Sequence, residues 1–250
     1  MKKQPLLNTY INNVTMSETV EEIERMISSG KKCYVVPINT DVVMKIESDV
    51  YLKKIVDSAD MVLADGKPLV WISRMHKSPL KAKISGSDLV PLLCGVASEK
   101  HYTIYIIGGK DGVAEQAKKR LQEQYPEIQI VGTYAPPLGF EKDAAELNRI
   151  NTMISEARPD LLIVCFGCPK QEKWIYENIN QYNAKVSICA GATVDFIAGN
   201  VKRAPRWMSE HGLEWLYRFL QEPKRMFRRY FVDDIQIIKL IKKYRRTNCT

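Results

Sequence analysis

The chain has 250 residues, 45% of them hydrophobic and 26% charged, which is ample for one large core or two small ones. No run approaches the ~18 apolar residues of a membrane span, and no long apolar stretch follows Met1-Lys2-Lys3-Gln4-Pro5, so a secretory signal is not expected. Residues 202–250 hold 13 Lys and Arg against 5 Asp and Glu, so the whole formal excess of +8 lies in the last fifth, which points to an anionic partner such as a phospholipid surface, a nucleic acid or a phosphorylated substrate.

Thr15-Met16-Ser17-Glu18 reads as a capping box and Gly30 as a stop, which predicts a helix between them. Cys33 to Ile38 reads as a strand. The apolar spacing of Val42, Val43, Ile46, Val50 and Ile55 predicts one helix from Asp41 to Val56. Met61–Ala64 is a short buried strand, followed by the Asp65-Gly66 turn and another helix. Tyr102 to Ile107 is the next strand, ending at Gly108-Gly109. A helix from about Val113 to Gln124, a strand around Ile128 to Val131 and a helix from Lys142 to Ala157 follow. The apolar run Leu161–Phe166 is a buried strand, a helix opens near Pro169, and Val186–Cys189 is the last strand. Strands alternating with helices over nearly 200 residues predict a mostly parallel sheet covered on both faces, in one main domain. After Pro205 the strands stop. Trp207, Trp215, Leu216, Phe219 and Leu220 alternate with charge, Pro223 breaks the pattern, and helix resumes from about Lys224 to Tyr244. The expected division is an α/β domain over residues 1–201 and a basic helical appendage over 202–250.

Ligands of open α/β sheets bind where strand C-termini meet helix N-termini, so the polar residues at strand ends are the candidates. Asn39-Thr40-Asp41 follows one strand, Asp65-Gly66-Lys67-Pro68 the next and Gly108-Gly109 a third; Gln171 and Asp195 follow two more. Asp65 is the candidate base, because removing a proton from a hydroxyl nucleophile needs a carboxylate within reach; the same residue also suits a turn or a helix cap. Asn39 fits a cap as well as a ligand contact. Gly108-Gly109 is not a G-x-G-x-x-G fingerprint, which disfavours a dinucleotide enzyme such as an epimerase or dehydrogenase.

His76, His101 and His211 are far apart in the chain and no Asp-x-Asp motif is present, so no metal is expected. A diphosphate would then be neutralised by arginine, whose planar fork matches phosphate oxygens; Arg218, Arg225, Arg228 and Arg229 are placed for this, or make a solvated basic face. Ile235, Ile238 and Ile241 beside Lys239, Lys242 and Lys243 suit a helix lying on an anionic membrane, or ordinary packing on the main domain. Cys165 and Cys168 have C-x-x-C spacing without a second pair; Cys33, Cys165 and Cys189 read as small buried hydrophobes in a reduced protein. The basic, aromatic tail leaves a nucleic-acid-binding module as an alternative.

Taken together the motifs resemble the WecG/TagA/CpsF glycosyltransferases. The resemblance runs from Val14-Thr15-Met16 through Asp65-Gly66, Ser85-Gly86-Ser87-Asp88, Ile106-Ile107-Gly108-Gly109 and Gly167-Cys168-Pro169-Lys170-Gln171-Glu172. It continues in Asp195-Phe196-Ile197-Ala198-Gly199, Val201-Lys202-Arg203-Ala204-Pro205 and Glu214-Trp215-Leu216-Tyr217-Arg218, and ends in Gln221-Glu222-Pro223-Lys224-Arg225. It implies a Rossmann-like domain and an inverting, metal-independent, cofactor-free transfer of a sugar from a UDP-sugar to an undecaprenyl-diphosphate-linked GlcNAc. That reaction belongs to bacterial cell-surface polysaccharide or teichoic acid synthesis. The implied place is the cytoplasmic face of the membrane, with self-association through the main domain and no nucleic acid. By resemblance Asp65 matches the base; Asn39 and Gln171 match active-site polar positions, with Thr40, Gly108, Gly109 and Asp195 beside them; and Arg218, Arg225 and Arg228 match arginines that close over the diphosphate. Pro37-Ile38-Asn39 stands where the ManNAc-transferring members tend to have Thr-Pro-Asn, Asp65-Gly66-Lys67-Pro68 where they tend to have Asp-Gly-x-Gly, and Lys83 at a position commonly Arg. These departures cluster at the sugar pocket and admit a donor of ManNAc type, another hexose or a uronic acid paired with Lys67.

Overall fold

The computed structural model describes residues 2–205, 208, 213–221, 223, 227 and 236–245. The chain opens with an antiparallel hairpin of β1 (Lys3–Leu6) and β2 (Thr9–Asn12). There follow α1 (Met16–Ser28), β3 (Cys33–Ile38), α2 (Thr40–Ser48), α3 (Val50–Asp57), β4 (Met61–Ala64), α4 (Lys67–Met75) and α5 (Gly86–Lys100). Next come β5 (Thr103–Gly108), α6 (Val113–Gln124), β6 (Gln129–Tyr134), α7 (Ala144–Ala157), β7 (Leu161–Cys165), α8 (Lys170–Asn178), β8 (Val186–Cys189) and the short α9 (Thr193–Ile197). In the appendage, α10 (Glu214–Gln221) and α11 (Ile237–Arg245) are helical. The main sheet has six strands in the order β4-β3-β8-β7-β5-β6, all parallel, as the alternation of elements in the sequence predicts.

Side chains alternate across a strand, so each strand feeds two cores. Val36, Ile38, Val62, Leu162 and Val164 join the cluster under α2, α3, α7 and α8. Val35, Met61, Leu63, Ile104, Ile163 and Ile188 join the opposite one under α1, α5 and α6. A sheet buried on both faces requires the continuous apolar strands seen here.

The helix predicted over 41–56 is two helices. Asp49 has an extended backbone (φ −112°, ψ 93°), ends α2 and caps α3 by accepting from the Leu52 N–H at 2.9 Å. The Val50 and Ile55 spacing therefore belongs to a second helix rather than a continuation of the first. Where the sequence suggested one helix between β4 and β5, there are two. The α1 helix starts as expected: Thr15 and Glu18 make a reciprocal capping box. The β1–β2 hairpin, which has too few residues for a periodic signal, protects the edge strand β4, with Asn12 Oδ1 accepting from Val62 N at 2.8 Å.

The appendage touches the main domain. Leu240 is buried in the core beneath α2, with Ile237, Ile241 and Tyr244 packed around it, while Ile238 remains about half exposed. Lys243 pairs with Glu47 at 2.7 Å, and the Tyr244 hydroxyl donates to the same carboxylate at 3.2 Å. The apolar side of α11 is thus largely spent on ordinary packing. Arg225, Arg228, Arg229, Asp233, Asp234 and Ile235, and the side chain of Arg218, lie outside the described residues.

Candidate active site

The connection from β5 runs outward to β6, whereas its neighbour β7 connects the opposite way to β8. Such a reversal opens a crevice at the carboxyl ends of the two strands. Gly108 ends β5 there, at φ +107°. A Cβ on it would lie 2.5 Å from the Cys165 carbonyl oxygen, so only glycine lets β5 and β7 pass this closely. Gly109, at φ +81°, donates its N–H to that carbonyl at 3.2 Å. The cavity above has a volume of about 930 Å³; Gly108, Gly109, Lys110, Phe140, Lys170 and Asp195 are among its walls. Burial raises the pKa of Asp195 and the Lys110 ammonium lowers it in part; the rise prevails. Lys170 is held by Glu141 at 3.0 Å, so this lysine faces an acid as well as the cavity.

A second cavity of about 540 Å³ adjoins the first, with Ala192 and Phe196 common to both walls. Asn39, Asp65, Gly86, Gln171, Cys168 and Gly191 line it. Asp65 is set by the end of β4: its backbone N–H donates to Ile38 O at 2.7 Å, and Gly66, at φ +117°, turns the chain into α4. The cap position of α4 is Gly66, with no side-chain cap bond, so Asp65 is not that helix's cap. Asn39 combines both of its candidate duties. Its Oδ1 caps α2 by accepting from Val42 N at 3.2 Å, and its amide nitrogen remains a donor on a residue that lines the cavity.

Gln171 sits in the first turn of α8. Its Oε1 accepts from the Gly191 N–H at 3.0 Å and its Nε2 donates to Glu172 Oε1 at 2.8 Å. Gly86 is packed against the Ala190 backbone, 3.3 Å from where its Cβ would be, which seats α5 on the cavity wall.

Thr40 and Lys83 stand outside the lining of both cavities. Thr40 opens α2. Lys83 pairs with Asp88 at 2.9 Å, and Asp88 also takes Arg203, whose guanidinium donates to Ser87 O at 3.0 Å. Burial works to raise the Asp88 pKa, but hydrogen bonds from Arg203, Ser85 and Lys83 outweigh it and bring it to about 2. Lys83 therefore braces the start of α5 and the Val201–Pro205 strap. Cys165 and Cys168 are free. Burial pushes the Cys165 thiol up to about 12 and Cys168 higher still, the reverse of a reactive dithiol. Lys45, and Glu172 of the Gly167–Glu172 motif, line the Asp65 cavity without having been candidate site residues. Lys45 bonds Asp41 at 2.8 Å and Cys168 O at 3.2 Å. Its four-residue distance from Asp41 was the available signal. Glu172 directly follows Gln171 and reads in isolation as a solvated helix residue.

A parallel sheet with two adjoining cavities at its carboxyl edge, one of them holding a carboxylate among carboxamides, is the layout of an α/β enzyme. The family model described as "Glycosyl transferase WecG/TagA/CpsF family" matches residues 4–249, and the chain belongs to that family; it is a glycosyltransferase. Among its relatives is the N-acetylglucosaminyldiphosphoundecaprenol N-acetyl-beta-D-mannosaminyltransferase of Bacillus subtilis (strain 168), 30% identical over 226 residues, 90% of this chain and 86% of the relative. The enzyme of that name from Staphylococcus aureus (strain MRSA252) is 30% identical over 230 residues, 90% of this chain and 87% of the relative.

Proposed function

We propose that this glycosyltransferase moves a sugar from a UDP-sugar to a polyprenyl-diphosphate-linked GlcNAc, with inversion and without a metal, in the synthesis of a bacterial cell-surface polysaccharide or teichoic acid. The observation that carries the reading is the placement of Asp65 in one cavity with Asn39 and Gln171, beside a larger cavity floored by Gly108 and Gly109. The larger space suits the nucleotide, with the Lys110 and Lys170 ammonium groups among its walls; the smaller suits the reacting sugar and the acceptor hydroxyl. Asp65 takes the proton of that hydroxyl as it attacks the anomeric carbon from the face opposite UDP. The relatives' names specify a β-D-mannosaminyl product, which an α-linked nucleotide sugar gives by inversion. Arg218, Arg225 and Arg228 absorb the departing diphosphate charge as the appendage closes.

No helix among the described residues is long and apolar enough to cross a membrane. In this proposal the lipid acceptor is met at the membrane surface. The basic appendage, at the cytoplasmic face, is the part that meets anionic lipid. Pro37 lines the Asp65 cavity, and Lys67 starts α4 next to it; these departures from the ManNAc pattern set the choice of donor sugar. The test is a screen of UDP-sugars with a short-chain lipid-diphosphate-GlcNAc, with and without EDTA, reading UDP release. One UDP-sugar turned over in EDTA, giving a lipid-linked disaccharide, is the expected result. Release that depends on added metal, or on no lipid acceptor, contradicts the reading.

A further inference from the structure

Glu172 is fully buried in the first turn of α8, and its Oε2 has no hydrogen-bond partner. Burial raises its pKa; the helix N-terminus, hydrogen bonds from Gln171 and the Cys168 thiol and the Lys45 ammonium favour the charged form, and the rise prevails. An isolated buried carboxylate is far costlier than a buried acid, so burial pushes this group toward its neutral form. A leucine would fill the same space without an orphaned oxygen. The acid's carboxyl also lies beside Cys168 and Lys45, but the contact that reaches the Asp65 cavity through a polar side chain at hydrogen-bond distance is the one to Gln171.

The Gln171 carboxamide is gripped at both ends. The Gly191 N–H can only donate, so it selects Gln171 Oε1; the Glu172 Oε1 acceptor selects Gln171 Nε2. The two constraints agree and forbid the flipped amide. One Nε2 hydrogen is used on Glu172, which leaves the other for the cavity that Gln171 lines together with Asp65.

We propose that Glu172 is a positioning residue of the transfer reaction. Its carboxyl oxygen fixes the Gln171 carboxamide so that the remaining N–H is presented to substrate in the Asp65 cavity. This rests on the glycosyl-transfer reading of that cavity.

The test is a double-mutant cycle in the full chain with wild-type donor and acceptor. Gln171→Ala should lower kcat by about 100-fold, the usual scale for one preorganised donor. Glu172→Leu should lower kcat by a similar factor with the donor KM within about threefold, and the double variant should be no worse than Gln171→Ala alone. Glu172→Gln keeps an acceptor oxygen for Gln171 Nε2, so it should stay within about threefold of wild type. Losses that multiply in the double variant, or a Glu172→Gln enzyme as damaged as Glu172→Leu, overturn the proposal. A measurement on the unliganded wild-type chain needs no turnover and no change at position 172. With 15N-glutamine labelling, the Gln171 side-chain amide pair is identified by its loss in Gln171→Ala. One proton of that pair should be protected from exchange and the other not; two freely exchanging protons overturn the proposal. Because this signal is read without substrate, a wild-type chain that transfers no sugar counts against the functional reading and not against the clamp.

Discussion

Asn39, Gln171 and Glu172 each spend one polar atom on the fold and so fix where the others can go. Asn39 Oδ1 is committed to the α2 cap, and Gln171 Oε1 to Gly191. This anchoring costs the site some freedom and gains it preorganisation. It also has consequences for pH. The folded pKa of Glu172 is raised above the ordinary 4.5, so above pH 4.5 the unfolded chain loses this proton while the folded chain keeps it. Stability from this group is complete below 4.5 and falls as pH rises toward the raised value. Urea unfolding should therefore show Glu172→Gln gaining on wild type as pH rises through 4.5 and then levelling. A pH-independent difference would mean that Glu172 is ionised in the fold. Asp88 behaves in the opposite sense. Its pKa is depressed from 3.8 to about 2, so its contribution is present above 3.8 and is lost as pH falls through about 2. The gap between wild type and Asp88→Asn should shrink over that interval, from a ceiling of roughly 2 kcal/mol that solvent around the partly exposed Arg203 reduces. A gap that widens in acid would reverse the assignment.

At the scale of elements, the site depends on how strand ends are turned. Gly108 and Gly167 both have positive φ, but only Gly108 has backbone against its missing Cβ; around Gly167 nothing lies within 4 Å. Gly108→Ala should cost about 3 kcal/mol or more, since it adds a backbone clash to the strain, and Gly167→Ala about 1 kcal/mol. Denaturant titration of the two would check this, and equal costs would contradict the close β5–β7 approach. The strands were legible because each is a compact apolar run: β3, β4, β7 and β8 fall where the pattern puts them. The α2–α3 break was not, because one Asp at position 49 ends one helix and caps the next without disturbing the apolar spacing. The α5 helix carries Pro91 inside it and little amphipathic contrast, and α9 has only five residues, so neither announces itself. In the site, Asp65, Asn39 and Gln171 were legible as polar residues at strand ends and do share one cavity. Gly108, Gly109 and Asp195 were legible too, but belong to the neighbouring cavity. Lys83, placed near the sugar by analogy, lies outside the lining of both cavities and pairs with Asp88 in the first turn of α5, a contact from loop to helix that no single period predicts. Glu172 was hidden because only the fold buries it.

In the whole molecule, residues 1–201 carry no net formal charge and residues 202–250 the whole +8, and the described parts of the two segments touch through Arg203–Asp88 and through Leu240 and Lys243. Removing everything after Lys202 should leave the six-stranded sheet folded, with circular dichroism reduced only by the helices removed, while transfer falls by at least about 100-fold if the tail's arginines supply charge stabilisation. Truncated protein with full turnover would dismiss that role. The proposed reaction requires Asp65 to be the base that activates the acceptor. The measurement is single-turnover transfer from the UDP-sugar identified in the screen to lipid-diphosphate-GlcNAc, by full-length wild type and Asp65→Asn, with donor affinity read in parallel. A rate lowered by about 100-fold or more with donor affinity unchanged is predicted; a variant that transfers sugar at close to the wild-type rate would contradict it.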